Sequence, residues 1–340
     1  MTTQMLLEAH EAPAAVARQL SRNSADYEAL GALLRQQPPA SILTIARGSS
    51  DHAAHFMGYL IMARLGRLVT TLPMSLITLY QSQIACDGLL SMAFSQSGQS
   101  PDLVAPTRFF SEGGACTAAF VNETDSPLAR CARWVFPLHA GPETSVAATK
   151  SFITQMVAGA RMVASWQKDE RLLGALSALP EVLMRAASAD WSAAVESLKG
   201  VDRLFVIGRG TSLAVAMEAA LKFKETCGIQ AEAFSGAEIK HGPMALIDEG
   251  YPLLVFAARG PAQAGLLSFA QEMRDRGARV LLAAPPGTAG ANLPIAESAS
   301  PDLDPVSVIQ SFYPMVEALA RARGMNPDQP RFLAKVTRTR

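Results

Sequence analysis

Short apolar runs, each closed by a small or polar residue and followed by a helical stretch, recur along this chain in two successive sets. Residues 41–46 (SILTIA), 89–95 (LLSMAFS) and 115–121 (ACTAAFV) form the first set. Residues 203–207 (RLFVI), 252–258 (PLLVFAA) and 278–284 (ARVLLAA) form the second. Runs of this length read as buried parallel strands, because a strand covered on both faces has no reason to alternate. Longer helical stretches such as 51–65 and 102–112 lie between them, so each set predicts a parallel sheet with helices on both faces. The sets also share local sequence. Ala46-Arg47-Gly48-Ser49-Ser50 follows the first strand of one, and Gly208-Arg209-Gly210-Thr211-Ser212 follows the first strand of the other. An offset of 162 residues, from 46 to 208, is too long for a solenoid and fits two duplicated domains.

A length of 340 residues agrees with two domains of about 150 residues each. The expected layout is an N-terminal helix (1–25), a first domain (26–185), a second (190–325) and a C-terminal tail (326–340). A helical stretch at about 147–198 joins the domains without a Pro/Gly/Ser-rich linker, so they are expected to pack together rather than swing on a tether.

Apolar residues at 49% and charged residues at 18% supply a sizeable core and exclude a disordered chain. Thirty basic residues balance thirty acidic ones, which leaves no overall charge to draw a nucleic acid. Aromatics are few and alanine is abundant, favouring helix-rich α/β packing over an all-β sandwich. The four cysteines, at 86, 116, 131 and 227, form no C-x-x-C pair. They read as reduced, mostly buried thiols of a cytoplasmic protein, neither a zinc site nor a disulfide framework. Glu8, His10, Glu11 and Arg18 interrupt any signal-peptide core, and no apolar run reaches the ~18 residues of a membrane span.

The most informative segment is Ser95-Gln96-Ser97-Gly98-Gln99-Ser100-Pro101-Asp102, which follows a strand and opens a helix. Ser100 suits the N-cap and Pro101 the first helical position. A helix start offers backbone donors and partial positive charge to an anion, and Gly98 allows a close approach. Hydroxyls with no Lys or Arg favour a sugar phosphate over a nucleoside triphosphate. An ordinary capped strand–helix turn has the same local pattern. The corresponding loop of the second set, Ala257-Ala258-Arg259-Gly260-Pro261, has no serines, so one domain is expected to bind phosphate and the other to contribute different chemistry.

Glu218, Lys222 and Glu225 fall at i, i+4 and i+7 of an alanine-rich helix over 212–226. By itself the stripe reads as a surface salt-bridge ladder. Shortly after it, Ser235-Gly236-Ala237-Glu238 has capping-box spacing and leads into Ile239-Lys240-His241-Gly242-Pro243, a helix of about one turn. A His at such a turn can reach a ligand, and His titrates near neutral pH.

Together these segments resemble the sugar isomerase (SIS) superfamily, and within it the isomerase half of glucosamine-6-phosphate synthases. The resemblance covers nearly the whole chain. It rests on S-Q-S-G at 95–98, V-A-A-T-K at 146–150, G-R-G at 208–210, A-L-K-F-K-E at 220–225, A-E-A-F-S-G-A-E-I-K-H-G-P at 231–243 and D-Q-P-R-x-L-A-K at 328–335. It implies an α/β chain of two tandem SIS domains, each a doubly wound, flavodoxin-like parallel sheet in three layers. By the same resemblance Ser50, Ser95, Gln96, Ser97 and Ser100 match a sugar-phosphate site, with Val146 and Ala334 beside the sugar. Glu225 matches the base that moves a proton between C1 and C2, and Lys222 a lysine lining the site. His241 matches the ring-opening residue that reaches in from a partner subunit, and Lys335 a tail lysine able to form a Schiff base. The implied assembly is a homodimer with shared active sites, acting on a hexosamine or hexose 6-phosphate without metal or other cofactor.

Two departures matter. No Cys precedes Cys86, so the glutaminase nucleophile of the synthase is absent and ammonia from glutamine is not expected by that route. Gln99 stands where the synthase has Glu, and Ser100 where it has Thr. The expected reaction is therefore deamination, glucosamine 6-phosphate plus water giving fructose 6-phosphate plus ammonia. A fructosamine-phosphate deglycase, a galactosamine-6-phosphate deaminase and a non-catalytic sugar-phosphate sensor are the alternatives.

Overall fold

A computed structural model describes residues 2–335, and Met1 and the last five positions of the expected tail lie outside the described residues. The chain forms two compact units. Among the described residues, one comprises 14–143, 150–177 and 334–335; the other comprises 2–13, 144–149 and 178–333.

The first unit holds a sheet of β1 (Ser41–Ile45), β2 (Val69–Thr71), β3 (Leu89–Ser95), β4 (Cys116–Val121) and β5 (Trp134–Pro137). The strands are all parallel, in the order β2-β1-β3-β4-β5. The second unit holds β6 (Arg203–Gly208), β7 (Gln230–Ser235), β8 (Pro252–Phe256), β9 (Arg279–Ala284) and β10 (Leu293–Pro294). Read from β7 across, its parallel order is β7-β6-β8-β9-β10. Both sheets thus have the doubly wound order 2-1-3-4-5, with a switch point between their first and third strands. The duplication seen in the sequence is a duplication of topology.

All six expected strands are present, and they are the inner strands. The four strands that the apolar runs did not announce, β2, β5, β7 and β10, are the four sheet edges. β3 is buried along its whole length, whereas β2 is half-buried at Val69 and exposed at its two threonines. An edge strand has one neighbour and a wetter surface, so it loses the continuous apolar signature.

In the first unit one face of the sheet packs Leu43, Ile45, Ala93 and Ala119 against Leu103, Val104 and Phe110. A stack of Phe94, Phe120 and Phe136 runs across β3, β4 and β5, with centroids 4.6 and 5.0 Å apart and Tyr27 closing it at 4.5 Å. In the second unit Phe205, Leu253, Val255 and Val280 pack against Leu266, Phe269 and Met273.

The expected helical stretch at 147–198 is four helices: Lys150–Gln167, Glu170–Ser177, Leu179–Ala187 and Ser192–Leu198. The first break is local chemistry. Lys168 has a left-handed φ of 57°, and Asp169 Oδ1 accepts the N–H groups of Arg171 and Leu172 at 3.0 Å, starting the next helix. All four cysteines are free; Cys86 and Cys227 are buried and the other two half-buried. Among the described residues no helix is long and apolar enough to cross a membrane.

Candidate active site

In the first unit, β1 and β3 lie side by side and each runs directly into a loop and a helix. Gln96–Ser100 leads from β3 into helix Pro101–Glu112, with Ser100 in the N-cap position and Pro101 at the first turn. The Ser100 carbonyl accepts the N–H groups of Leu103 and Val104 at 3.0 and 3.1 Å. Ser95 Oγ accepts the Gly98 N–H at 2.9 Å, and Ser97 Oγ accepts the Gln99 N–H at 3.3 Å. From outside, the Gln96 carbonyl takes the N–H groups of Asn122 and Glu123, and the Gly98 carbonyl takes that of Leu128. Gly98 has φ 63°, and a Cβ there would sit 2.2 Å from Ser126 Oγ. Only glycine permits this turn at this packing distance. The loop is therefore held in one shape, with three serines, at a helix start.

Ser50 lies in the first turn of helix Gly48–Leu65, at the end of β1, where its hydroxyl receives Gln155 Nε2 at 3.0 Å. Arg47 reaches from the same loop to Asp102 Oδ2, 3.1 Å away in the first turn after β3, tying the two loops together. Next to Ser50, burial raises the Asp51 carboxyl above its ordinary pKa and lowers the His55 imidazole below its own.

Lys335 belongs to this unit as well. Its Nζ lies 3.1 Å from Glu143 Oε2, while the neighbouring Ala334 is exposed.

In the second unit, Gly208-Arg209-Gly210-Thr211 leads from β6 into helix Ser212–Cys227. A Cβ on Gly208 would stand 2.3 Å from the Ser212 carbonyl oxygen, so glycine lets the helix start close to the strand end. Glu218 and Lys222 are fully buried on this helix, which corrects the surface-ladder reading of the stripe. Lys222 Nζ lies 3.3 Å from Glu218 Oε1 and 2.5 Å from Glu225 Oε2, and Tyr313 Oη donates to Glu218 Oε1 at 3.4 Å. Burial by itself would push the Lys222 ammonium down in pKa. The two carboxylates outweigh it and hold the amine well above the ordinary lysine value. Glu225 is the member of the triad with an open side. It lines a cavity of about 690 Å³ with Lys224, Thr226, Asn326, Gln329 and Arg331.

Val146 is half-buried in Thr144–Thr149. That segment is held by Glu8, a buried residue of helix Gln4–Leu20. The Glu8 carboxylate accepts from the Thr144 N–H at 2.6 Å, from Thr144 Oγ1 at 3.2 Å and from the Ser145 hydroxyl. In the sequence Glu8 stands out only as a charge against a signal peptide. His241 ends a single 3₁₀ turn, Glu238–His241, pinned by buried Ile239. Ser235 Oγ accepts the Glu238 N–H at 3.2 Å, as the capping spacing predicted. His241 itself is exposed, and it is not among the residues lining the cavity beside Glu225.

The serine-free loop after β8 differs in kind from the loop after β3. Its Arg259 is engaged internally, with Nε 2.7 Å from Asp304 Oδ2 and Nη2 2.6 Å from the Ser298 carbonyl. Among the described residues no group of three or more His, Cys, Asp or Glu side chains is arranged to hold a metal ion.

The family profile for the SIS domain matches residues 33–165 and 197–299, one match on each sheet. The chain belongs to the SIS domain family. Among solved structures, one described as a phosphosugar isomerase from Silicibacter pomeroyi DSS-3 superimposes with a TM-score of 0.91 at 43% identity, covering 96% of this chain and all of that one. The C-terminal domain of glucosamine-fructose-6-phosphate aminotransferase from Francisella tularensis gives 0.87 at 26% identity, covering 97% and 99%. The glutamine–fructose-6-phosphate aminotransferase (isomerizing) of Sulfolobus acidocaldarius is 31% identical over 97% of this chain. The SIS pair spans only 56% of that longer protein.

Proposed function

We propose that this SIS protein is a phosphosugar aldose–ketose isomerase that deaminates glucosamine 6-phosphate, with water, to fructose 6-phosphate and ammonia. The observation that carries the reading is the buried Lys222, charge-balanced by Glu218 and orienting Glu225 at the wall of a cavity. A carboxylate fixed in this way suits proton transfer between adjacent carbons, a task for which a positioned side chain supplies roughly 10²–10⁴-fold. The names of the Silicibacter and Francisella neighbours support a phosphosugar substrate.

In this reading the phosphate sits on the Ser95–Ser100 loop, with Ser50, Gln96 and Ser97 as donors. His241, supplied by a partner subunit, opens the ring. Glu225 takes the C2 proton and returns it to C1, leaving an imine at C2. Water adds to that carbon and ammonia leaves. The reaction needs no co-reactant but water. Lys335 accepts the C2 carbon by transimination or shields it.

The test is ammonia release across glucosamine 6-phosphate, galactosamine 6-phosphate and a fructosamine 6-phosphate, with wild type and Glu225→Gln. The expected result is turnover of the first by wild type only, with sugar-phosphate binding kept in the variant. If Glu225→Gln still exchanges the C2 hydrogen with solvent at the wild-type rate, the base is another residue.

A further inference from the structure

Glu143 has no role in the chemistry above, yet its side chain is fully buried and sits where three groups converge. Oε1 accepts the backbone N–H of Ser151 at 3.0 Å, and Oε2 accepts the Ser151 hydroxyl at 2.5 Å. Ser151 lies in the first turn of helix Lys150–Gln167, where the helix dipole favours a negative charge. A carboxylate in this setting is anchored. A buried anion needs a cation beside it, and Lys335 places its ammonium 3.1 Å from Oε2. The pairing spans 192 residues of sequence and joins the tail motif to the start of a core helix.

We propose that Glu143 is the positioning residue for Lys335, docking the tail lysine as an ion pair on the start of helix Lys150–Gln167. The docking fixes the last described turn of the tail, Ala334–Lys335, and keeps the amine from reacting with carbonyl compounds at large. For Lys335 to form an imine, its ammonium must first give a proton to Glu143 or to water. The free amine then adds to a ketose carbonyl, and water leaves as the C=N bond forms. The catalytic weight of this step rests on the reading of Lys335 given above; the docking itself does not.

The docking is tested without substrate by brief labelling with acetic anhydride, comparing Lys335 with exposed Lys168 by mass spectrometry. In wild type Lys335 is expected to label at least about ten times more slowly than Lys168. Glu143→Gln should bring the two rates within about twofold, and Glu143→Asp, which keeps the charge on a shorter arm, should fall between. In steady-state assays Glu143→Gln should lower kcat about tenfold with little change in KM, since the phosphate loop is untouched. Wild-type Lys335 labelling as fast as Lys168 would overturn the proposal, and that measurement does not depend on any variant folding. Unchanged protection in Glu143→Gln would overturn it as well. If labelling behaves as expected but borohydride with fructose 6-phosphate leaves no adduct on Lys335, the docking is upheld and only the imine role is lost.

Discussion

The Glu8 carboxylate accepts the backbone N–H of Thr144 at 2.6 Å, across 136 residues of sequence. The same helix, Gln4–Leu20, is capped at its start by Asp328, whose two oxygens accept the N–H groups of Gln4 and Met5 at 2.8 Å. One short helix therefore carries the first residue of the tail motif at its start and the Val146 segment on its second turn.

Glu8→Gln should loosen that segment, because an amide places an NH₂ group where several donors already converge. Hydrogen bonds to a charged group are worth about 1.5–3 kcal/mol each. The expected outcome is a KM for sugar phosphate raised about tenfold or more, with a lowered urea midpoint. A lowered midpoint with unchanged KM would remove Val146 from the sugar site.

The double variant Ser97→Ala/Ser100→Ala removes two hydroxyls from the loop after β3. Losing two hydrogen bonds to a phosphate costs about 3–6 kcal/mol, or roughly 10²–10⁴-fold in KM. The second sheet offers no substitute, since Arg259 is bound to Asp304. Unchanged KM for the phosphorylated sugar would place the phosphate elsewhere.

Lys222→Met leaves Glu218 buried beside an apolar chain. Breaking a buried pair from one side costs about 3–5 kcal/mol. Folding raises the Lys222 pKa, so its contribution is fully present below the unfolded lysine value of 10.5 and is lost as pH rises toward the folded one. Urea denaturation should show a gap between wild type and variant that is flat from about pH 7 to 10 and narrows above about 10.5. A gap that narrows between pH 7 and 9 would mean that another group governs it.

His241 is exposed at the end of its turn, and the proposed function has it serve a partner's site. Mixing inactive Glu225→Gln with inactive His241→Ala subunits should restore about half of wild-type activity per heterodimer. One site then collects both lesions and the other collects none. Confirmed subunit exchange without recovery would assign each histidine to its own chain.

Local pattern was enough for the α/β class, the duplication, the six inner strands, the serine loop and the Glu218–Lys222–Glu225 stripe. Each of these is set by neighbours a few residues apart: an apolar run, a cap, a helical repeat. The four edge strands escaped because an edge is defined by what lies beside it, and β2 and β10, of three and two residues, exist only through pairing with β1 and β9. The sign of the stripe was also hidden. An i, i+4, i+7 pattern looks the same on a wet face and in a core, and packing of the helix beside Tyr313 buried Glu218 and Lys222 while leaving Glu225 one open side. The partners of Glu8, Glu143 and Asp328 were not legible either, because they lie 136, 192 and 324 residues away. Hydrogen bonds and ion pairs at that range carry no periodicity in the chain. They come into being only when the fold brings a carboxylate to a helix start or to an irregular segment that has donors to satisfy.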